Sequence, residues 1–159
     1  MKKTFTLIIC ISISIFSYSQ KQVTLEDIWL NYKFYPSSVS GFKSMNDGEH
    51  YTTTEKSDKE IIINKNSFET GEIVETLMNS DDERLSKMGS YQFNLEEDKI
   101  LIATNTESIY RHSSKSVYYI YNTKTKTIKN LTDKQVMYAT FSPDGNYIAY
   151  VFDNNLYLY

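Results

Sequence analysis

The residues best equipped for chemistry in this 159-residue sequence stand together in Tyr110-Arg111-His112-Ser113. Arginine stays charged at every physiological pH and offers five donors in a planar fork, suited to carbonyl or carboxylate oxygens. Tyr110 beside it can stack on the guanidinium and fix its direction. Spacing alone leaves two readings open, a solvated loop arginine or an oxygen-binding fork. His112 and Ser113 do not make a nucleophile pair, because adjacent residues seldom meet in productive geometry. The other histidine, His50, stands beside a run of threonines and reads as an exposed strand residue. No Gly-x-Ser-x-Gly elbow occurs, so no catalytic residue is expected in this chain. Asp81-Asp82-Glu83 lacks the alternating carboxylates and glycine of a hard-cation loop and reads as a solvated turn. With two distant histidines and one cysteine, no metal site and no cofactor are expected.

Arg111 gains interest from the elements around it. Phe141-Ser142-Pro143-Asp144-Gly145-Asn146-Tyr147 reads as strand, tight turn and strand, with Pro143, Asp144 and Gly145 supplying the turn geometry. The same layout starts at Phe93, 48 residues earlier, and a fainter copy at Phe42, another 51 upstream. A period near 50 with this content marks a β-propeller blade. Strands are expected at 39–43, 51–55, 61–64 and 73–77 in the first unit. The second unit has 91–94, 100–104, 117–121 and 127–131, and the third 136–141, 147–152 and 156–159. The third strand of each unit is continuously apolar, as burial on both faces requires. From the leading Phe to that strand takes 19, 24 and 15 residues in turn, so the second unit carries an enlarged loop, 105–115. Loops on a rigid scaffold are where binding residues concentrate. Between the first two units, Ser80 or Asp81 is expected to cap a helical turn with Leu85 and Met88 on its apolar side.

The expected architecture is therefore all-β, an incomplete propeller of about two and three-quarter four-stranded blades behind a short helix. The helix spans Thr24 to Trp29, capped by Thr24, with Leu25, Ile28 and Trp29 on one face. Residues 1–19 read as a signal peptide: Lys2 and Lys3, an apolar run from Phe5 to Phe16, and Ser17-Tyr18-Ser19 before a cut at Gln20. A lead-in over 20–36 and propeller blades over 37–159 follow. The product is expected to be exported, periplasmic or secreted, with no membrane contact after cleavage. Its one cysteine, Cys10, leaves with the signal, so stability must come from burial or partners. Formal charge falls from −3 to −5 without Lys2 and Lys3, which excludes a basic nucleic-acid face. Blades short of a ring expose an apolar face and an unpaired strand, so the sequence is expected to be the beginning of a longer protein.

The segment 100–122, with its Tyr-Arg-His-Ser core and the Val-Tyr-Tyr-Ile-Tyr-Asn strand after it, resembles the early propeller of the dipeptidyl peptidase IV family. Thr24-Leu25-Glu26-Asp27, the Phe-Ser-Pro-Asp-Gly turn and Asp153-Asn154-Asn155-Leu156-Tyr157 match in order and spacing. The resemblance implies a propeller of eight blades over an α/β-hydrolase domain. It implies a serine peptidase that releases Xaa-Pro or Xaa-Ala dipeptides from polypeptide N-termini. The arginine matching Arg111 there hydrogen-bonds a carbonyl oxygen of the dipeptide, with Tyr110 and His112 as neighbouring support. The expected partners are peptide N-termini, as substrate of the full-length protein, and a homodimer stays open. The matching glutamate pair and the Ser-Asp-His triad are not in this sequence, so residues 20–159 alone are expected to be inactive. The rival readings are a non-catalytic periplasmic propeller that binds proteins or glycans, and a small closed β-sandwich.

Overall fold

A computed structural model describes residues 22–57 and 60–159. The expected signal peptide, and Asp58 and Lys59 of one expected turn, lie outside the described residues. Contacts divide the chain into two units, Met1–Ser38 and Val39–Tyr159. In the first, helix α1 (Leu25–Trp29) starts where the Thr24 hydroxyl accepts from the Asp27 N–H at 3.1 Å. Glu26 and Asp27 place negative charge in its positive first turn. The Asp27 carboxylate also takes the Lys33 ammonium.

The second unit holds three antiparallel sheets. Blade 1 runs β1 (Lys43–Ser44), β2 (His50–Lys56), β3 (Ile61–Ser67) and β4 (Ile73–Ser80). Blade 2 runs β5 (Met88–Phe93), β6 (Lys99–Tyr110), β7 (Ser113–Asn122) and β8 (Thr127–Asn130). Blade 3 contains β9 (Met137–Phe141), β10 (Ile148–Phe152) and β11 (Asn155–Leu158). Each sheet is a meander in chain order, as propeller blades are. The fold is an incomplete β-propeller with a short N-terminal helix, as the period and strand content predict.

The repeat is visible atom by atom at each blade's first hairpin. Met45, Asn94 and Ser142 donate their N–H to the carbonyls of His50, Lys99 and Tyr147 respectively. Three residues on, Gly48, Glu97 and Gly145 donate back to Met45, Asn94 and Ser142. All three sit at positive φ, 72°, 55° and 72°. These equivalences correct the reading of the first unit. Ser44, not Phe42, occupies the place of Phe93 and Phe141, so the true spacings are 49 and 48 residues. Phe42 misleads because it packs outside the ladder, its ring 5.1 Å from Tyr51 and 6.2 Å from Phe68. The strand expected at 39–43 is accordingly only the two residues of β1, with Gly41 at φ 67° just before it.

Neighbouring blades are joined by alternate side chains of the same strands. Ile100 and Ile102 of β6, with Tyr119 and Tyr121 of β7, face blade 1 and meet Ile61, Ile63, Met78 and Leu85. Leu101, between the two isoleucines, faces blade 3 and meets Val136, Ala139 and Ile148. Ile100, Leu101 and Ile102 are at most 1% exposed, and each such side chain stabilises the fold by roughly 1.5–3 kcal/mol. Polar bridges fix the order. The Tyr91 hydroxyl donates to the Gly41 carbonyl at 2.6 Å and meets the Thr52 hydroxyl at 2.7 Å. Gln92 donates to the Ala139 carbonyl at 2.8 Å. Between the first two blades, Asp82 rather than Ser80 or Asp81 caps a single 3-10 turn, Glu83–Leu85. Its carboxylate grips Arg84 through Nε and Nη2, and the guanidinium lies 5.5 Å from the Tyr119 ring. Met88, expected on that turn, opens β5 instead.

Candidate functional site

Arg111 and His112 form the two-residue tip of the hairpin between β6 and β7. The segment 105–115 is therefore not a loop but mostly strand, and the enlargement seen in the spacing is a pair of lengthened arms. β5 accompanies β6 as far as Thr104, opposite Met88. Beyond that point β6 pairs with β7 alone, through Glu107 with Lys115, Ser108 with Ser114 and Tyr110 with Ser113. Residues 105–112 are all exposed. The strand pattern of period 2 needs a buried face to become visible. These arms have none, which is why their residues read as loop.

The arm leaves the blade at a defined bend. Asn105 sits at φ 49°, in the left-handed region, and the ladder shifts register between Thr104 and Glu107. Its N–H donates to the Lys87 carbonyl at 3.3 Å. The hydroxyls of Thr106 and Ser116 meet at 2.9 Å across the two strands. Further out, the Glu107 carboxylate accepts from the Gln135 side-chain amide at 2.9 Å and pairs with Lys115 at 3.0 Å. Those two contacts, the Gln135 hydrogen bond first, hold the Glu107 carboxyl below its usual range.

The tip itself is unencumbered. Tyr110 is 80% exposed, and Arg111 and His112 are exposed. Among the described residues Arg111 has no hydrogen-bond, ion-pair or ring partner, and the expected stacking of Tyr110 on its guanidinium is not formed. The arrangement leaves five donors and a fixed positive charge open at the end of the arm, a set able to bind oxygen atoms. Among the described residues, no nucleophile or general base hydrogen-bonds to those donors. Sequence reasoning misses Gln135 and the Glu107–Lys115 pair, since their role exists only once blades 2 and 3 are side by side. Elsewhere, His50 hydrogen-bonds Asp47 through Nδ1 at 2.7 Å in the first blade's turn. No group of three potential metal ligands occurs among the described residues.

Residues 94–159 match the family model described as the dipeptidyl peptidase IV N-terminal region. The likeness is thus to the N-terminal region of that family, over the last two-fifths of the chain. Blade 3 and all of blade 2 except β5 lie in the matched stretch, including Arg111, its arm and Gln135. Dipeptidyl peptidase 4 of Porphyromonas gingivalis superposes with a TM-score of 0.71 at 34% identity, over 89% of this chain and 20% of that one. Dipeptidyl aminopeptidase A of Saccharomyces cerevisiae is 36% identical over 83 residues, 45% of this chain and 9% of its own length. A probable dipeptidyl-aminopeptidase B of Phaeosphaeria nodorum is 28% identical over 160 aligned residues, 88% of this chain and 17% of that protein. The chain thus spans a tenth to a fifth of these dipeptidyl peptidase relatives.

Proposed function

We propose that this chain is the N-terminal propeller segment of an exported, periplasmic or secreted serine peptidase of the dipeptidyl peptidase IV type. In this reading the whole protein releases Xaa-Pro or Xaa-Ala dipeptides from polypeptide N-termini. Residues 1–19 act as its signal peptide, supported by the basic start, apolar run and small residues before Gln20. The blades described here position substrate, and the serine nucleophile, which forms an acyl-enzyme with the dipeptide, is supplied by another part of the protein.

One observation carries the assignment: within the family-matched stretch, an exposed arginine with all its donors free stands at the end of a braced arm. The Arg111 guanidinium donates to a carbonyl oxygen of the bound dipeptide and fixes the scissile bond relative to the nucleophile. Holding a reactant in register in this way supplies a large part of a rate enhancement.

The test is Arg111→Ala and Arg111→Lys in the complete protein, assayed with a Gly-Pro chromogenic substrate. Loss of a charge-assisted hydrogen bond lowers kcat/KM by about 10- to 100-fold for Arg111→Ala, with lysine recovering only part because it lacks the planar fork. The exported enzyme begins at Gln20. Unchanged kinetics for Arg111→Ala would make the arginine a bystander. Failure of the complete wild-type protein to release any dipeptide would leave the non-catalytic propeller as the better reading.

A further inference from the structure

The arm that carries Arg111 has a mechanical problem. From Asn105 outward it is a two-stranded ribbon, and such a ribbon is marginal without a third neighbour. It also pivots on one residue, Asn105, at φ 49° beside a register shift. Six residues of extended chain make a lever of roughly 20 Å between that pivot and the tip. A swing of about 5° would then carry the guanidinium nearly 2 Å on that geometry. Errors of that size are enough to spoil a positioned contact.

Gln135 answers that problem from outside the ribbon. It stands on the segment between β8 and β9, and is half-buried. Its neighbour Val136 is 1% exposed and is bridged to Ser116 of β7 by two backbone hydrogen bonds of 2.9 Å. The base of the Gln135 side chain is therefore fixed to both blades. Its amide reaches the arm just past the pivot, donating to the Asn105 carbonyl at 3.2 Å and to Glu107 Oε1 at 2.9 Å. Glu107 Oε2 takes Lys115 of the opposite strand, so one side chain ties both strands of the ribbon to the segment entering blade 3.

We propose that Gln135 is a positioning residue that sets the angle of the β6–β7 arm and hence the place of Arg111. The inference rests on the reading of Arg111 as a substrate-binding residue and adds the element that aims it. A merely stabilising surface hydrogen bond would cost the same whether or not the arginine is present. A brace that acts through Arg111 costs nothing once the arginine is gone.

In the complete protein, Gln135→Ala raises KM for a Gly-Pro substrate by about three- to tenfold, the size of one net hydrogen bond, while Tm stays within a degree or two of wild type. Gln135→Glu, which sets a second carboxylate against Glu107, does the same with the side-chain volume kept. In an Arg111→Ala background neither substitution has a further effect. A nitroxide at Ile109→Cys reports the arm without reference to catalysis, and its spectrum becomes more mobile on Gln135→Ala. An unchanged nitroxide spectrum overturns the brace whatever the kinetics show. So does a Gln135→Ala penalty that persists in full without the arginine, or an unchanged KM in Gln135→Ala where Arg111→Ala is impaired. Should Arg111→Ala alone leave turnover intact while the nitroxide responds, the reading of Arg111 falls and the brace remains as an arm-fixing contact.

Discussion

Gly41 is packed tightly within blade 1 and hydrogen-bonded to blade 2. Its φ of 67° is left-handed, and a Cβ placed on it would lie 1.9 Å from the Thr54 hydroxyl and 3.0 Å from the Thr54 nitrogen. Its carbonyl meanwhile accepts the Tyr91 hydroxyl from blade 2, and the buried Thr52 hydroxyl shares that contact. Relief by shifting the Gly41 backbone would stretch the bridge to Tyr91, so the strain has no cheap outlet. Gly41→Ala is expected to destabilise the protein by more than about 1 kcal/mol, since alanine meets both the wrong φ and a clash. A urea unfolding midpoint equal to wild type would show that this segment is looser than the geometry implies. None of this was legible in the sequence, where Gly41 sits beside Phe42 inside a run that resembles a strand. The glycines of the hairpin turns are legible for a different reason. Gly48 and Gly145 occupy the same left-handed position in each turn, next to the aspartates and asparagines that make turns recognisable. Glu97 holds that place in blade 2 without being a glycine, which leaves the turn there to be recognised by its spacing alone.

Among the elements, β6 shows most clearly what sequence can and cannot reveal. Its first half, Lys99 to Thr104, holds the continuous apolar run Ile100-Leu101-Ile102-Ala103 because both faces are covered. Its second half, Asn105 to Tyr110, is exposed throughout and carries no hydrophobic alternation. The same strand is thus plain for six residues and hidden for the next six, and the change falls where β5 stops. Sequence spacing still located the extra chain, and with it Arg111, because chain length does not depend on burial. The two halves should also differ in dynamics. Amides at 100–104 are held between two neighbouring strands and under two blades, whereas those at 107–114 have only the opposite arm. Local opening is cheapest where buried apolar contacts are fewest. Hydrogen exchange at neutral pH is expected to be faster by at least tenfold at 107–114 than at 100–104 and 117–121. Equal protection along the whole strand would mean that the arm is supported by something beyond the contacts with Gln135 and Lys115.

At the scale of the whole assembly of blades, the two outward faces are not alike. On blade 1 the face turned away from blade 2 carries a polar ladder, with the aromatic cluster of Tyr51, Phe42 and Phe68 at one end of it. Asn66 donates to Thr53 at 3.0 Å, Asn64 donates to Glu55 at 2.9 Å, and Thr76 donates to Asn64 at 2.9 Å. On blade 3 the corresponding face is apolar. Ile148, Tyr150 and Phe152 pack toward blade 2, so Ala149 and Val151 point the other way. Opposite them in the ladder stand Leu158 and Leu156, 66% and 75% exposed. β11 also has an unpaired edge in this sheet. An apolar face beside an open strand edge is the combination that drives chains together. A polar face whose side chains already satisfy one another has little to gain from contact. Self-association of purified residues 20–159 should therefore run mainly through blade 3 and spare the polar ladder of blade 1. Leu156→Lys with Leu158→Lys is expected to shift sedimentation toward monomer, because each lysine adds charge to the face and removes apolar area worth about 25 cal/mol per Å2. Lysines at Thr53 and Thr76 are expected to leave association unchanged, apart from any loss of fold that circular dichroism would register. If the blade 1 pair dissolved the aggregates and the blade 3 pair did not, the polarity of the two faces would not be what governs how this propeller segment meets its neighbours.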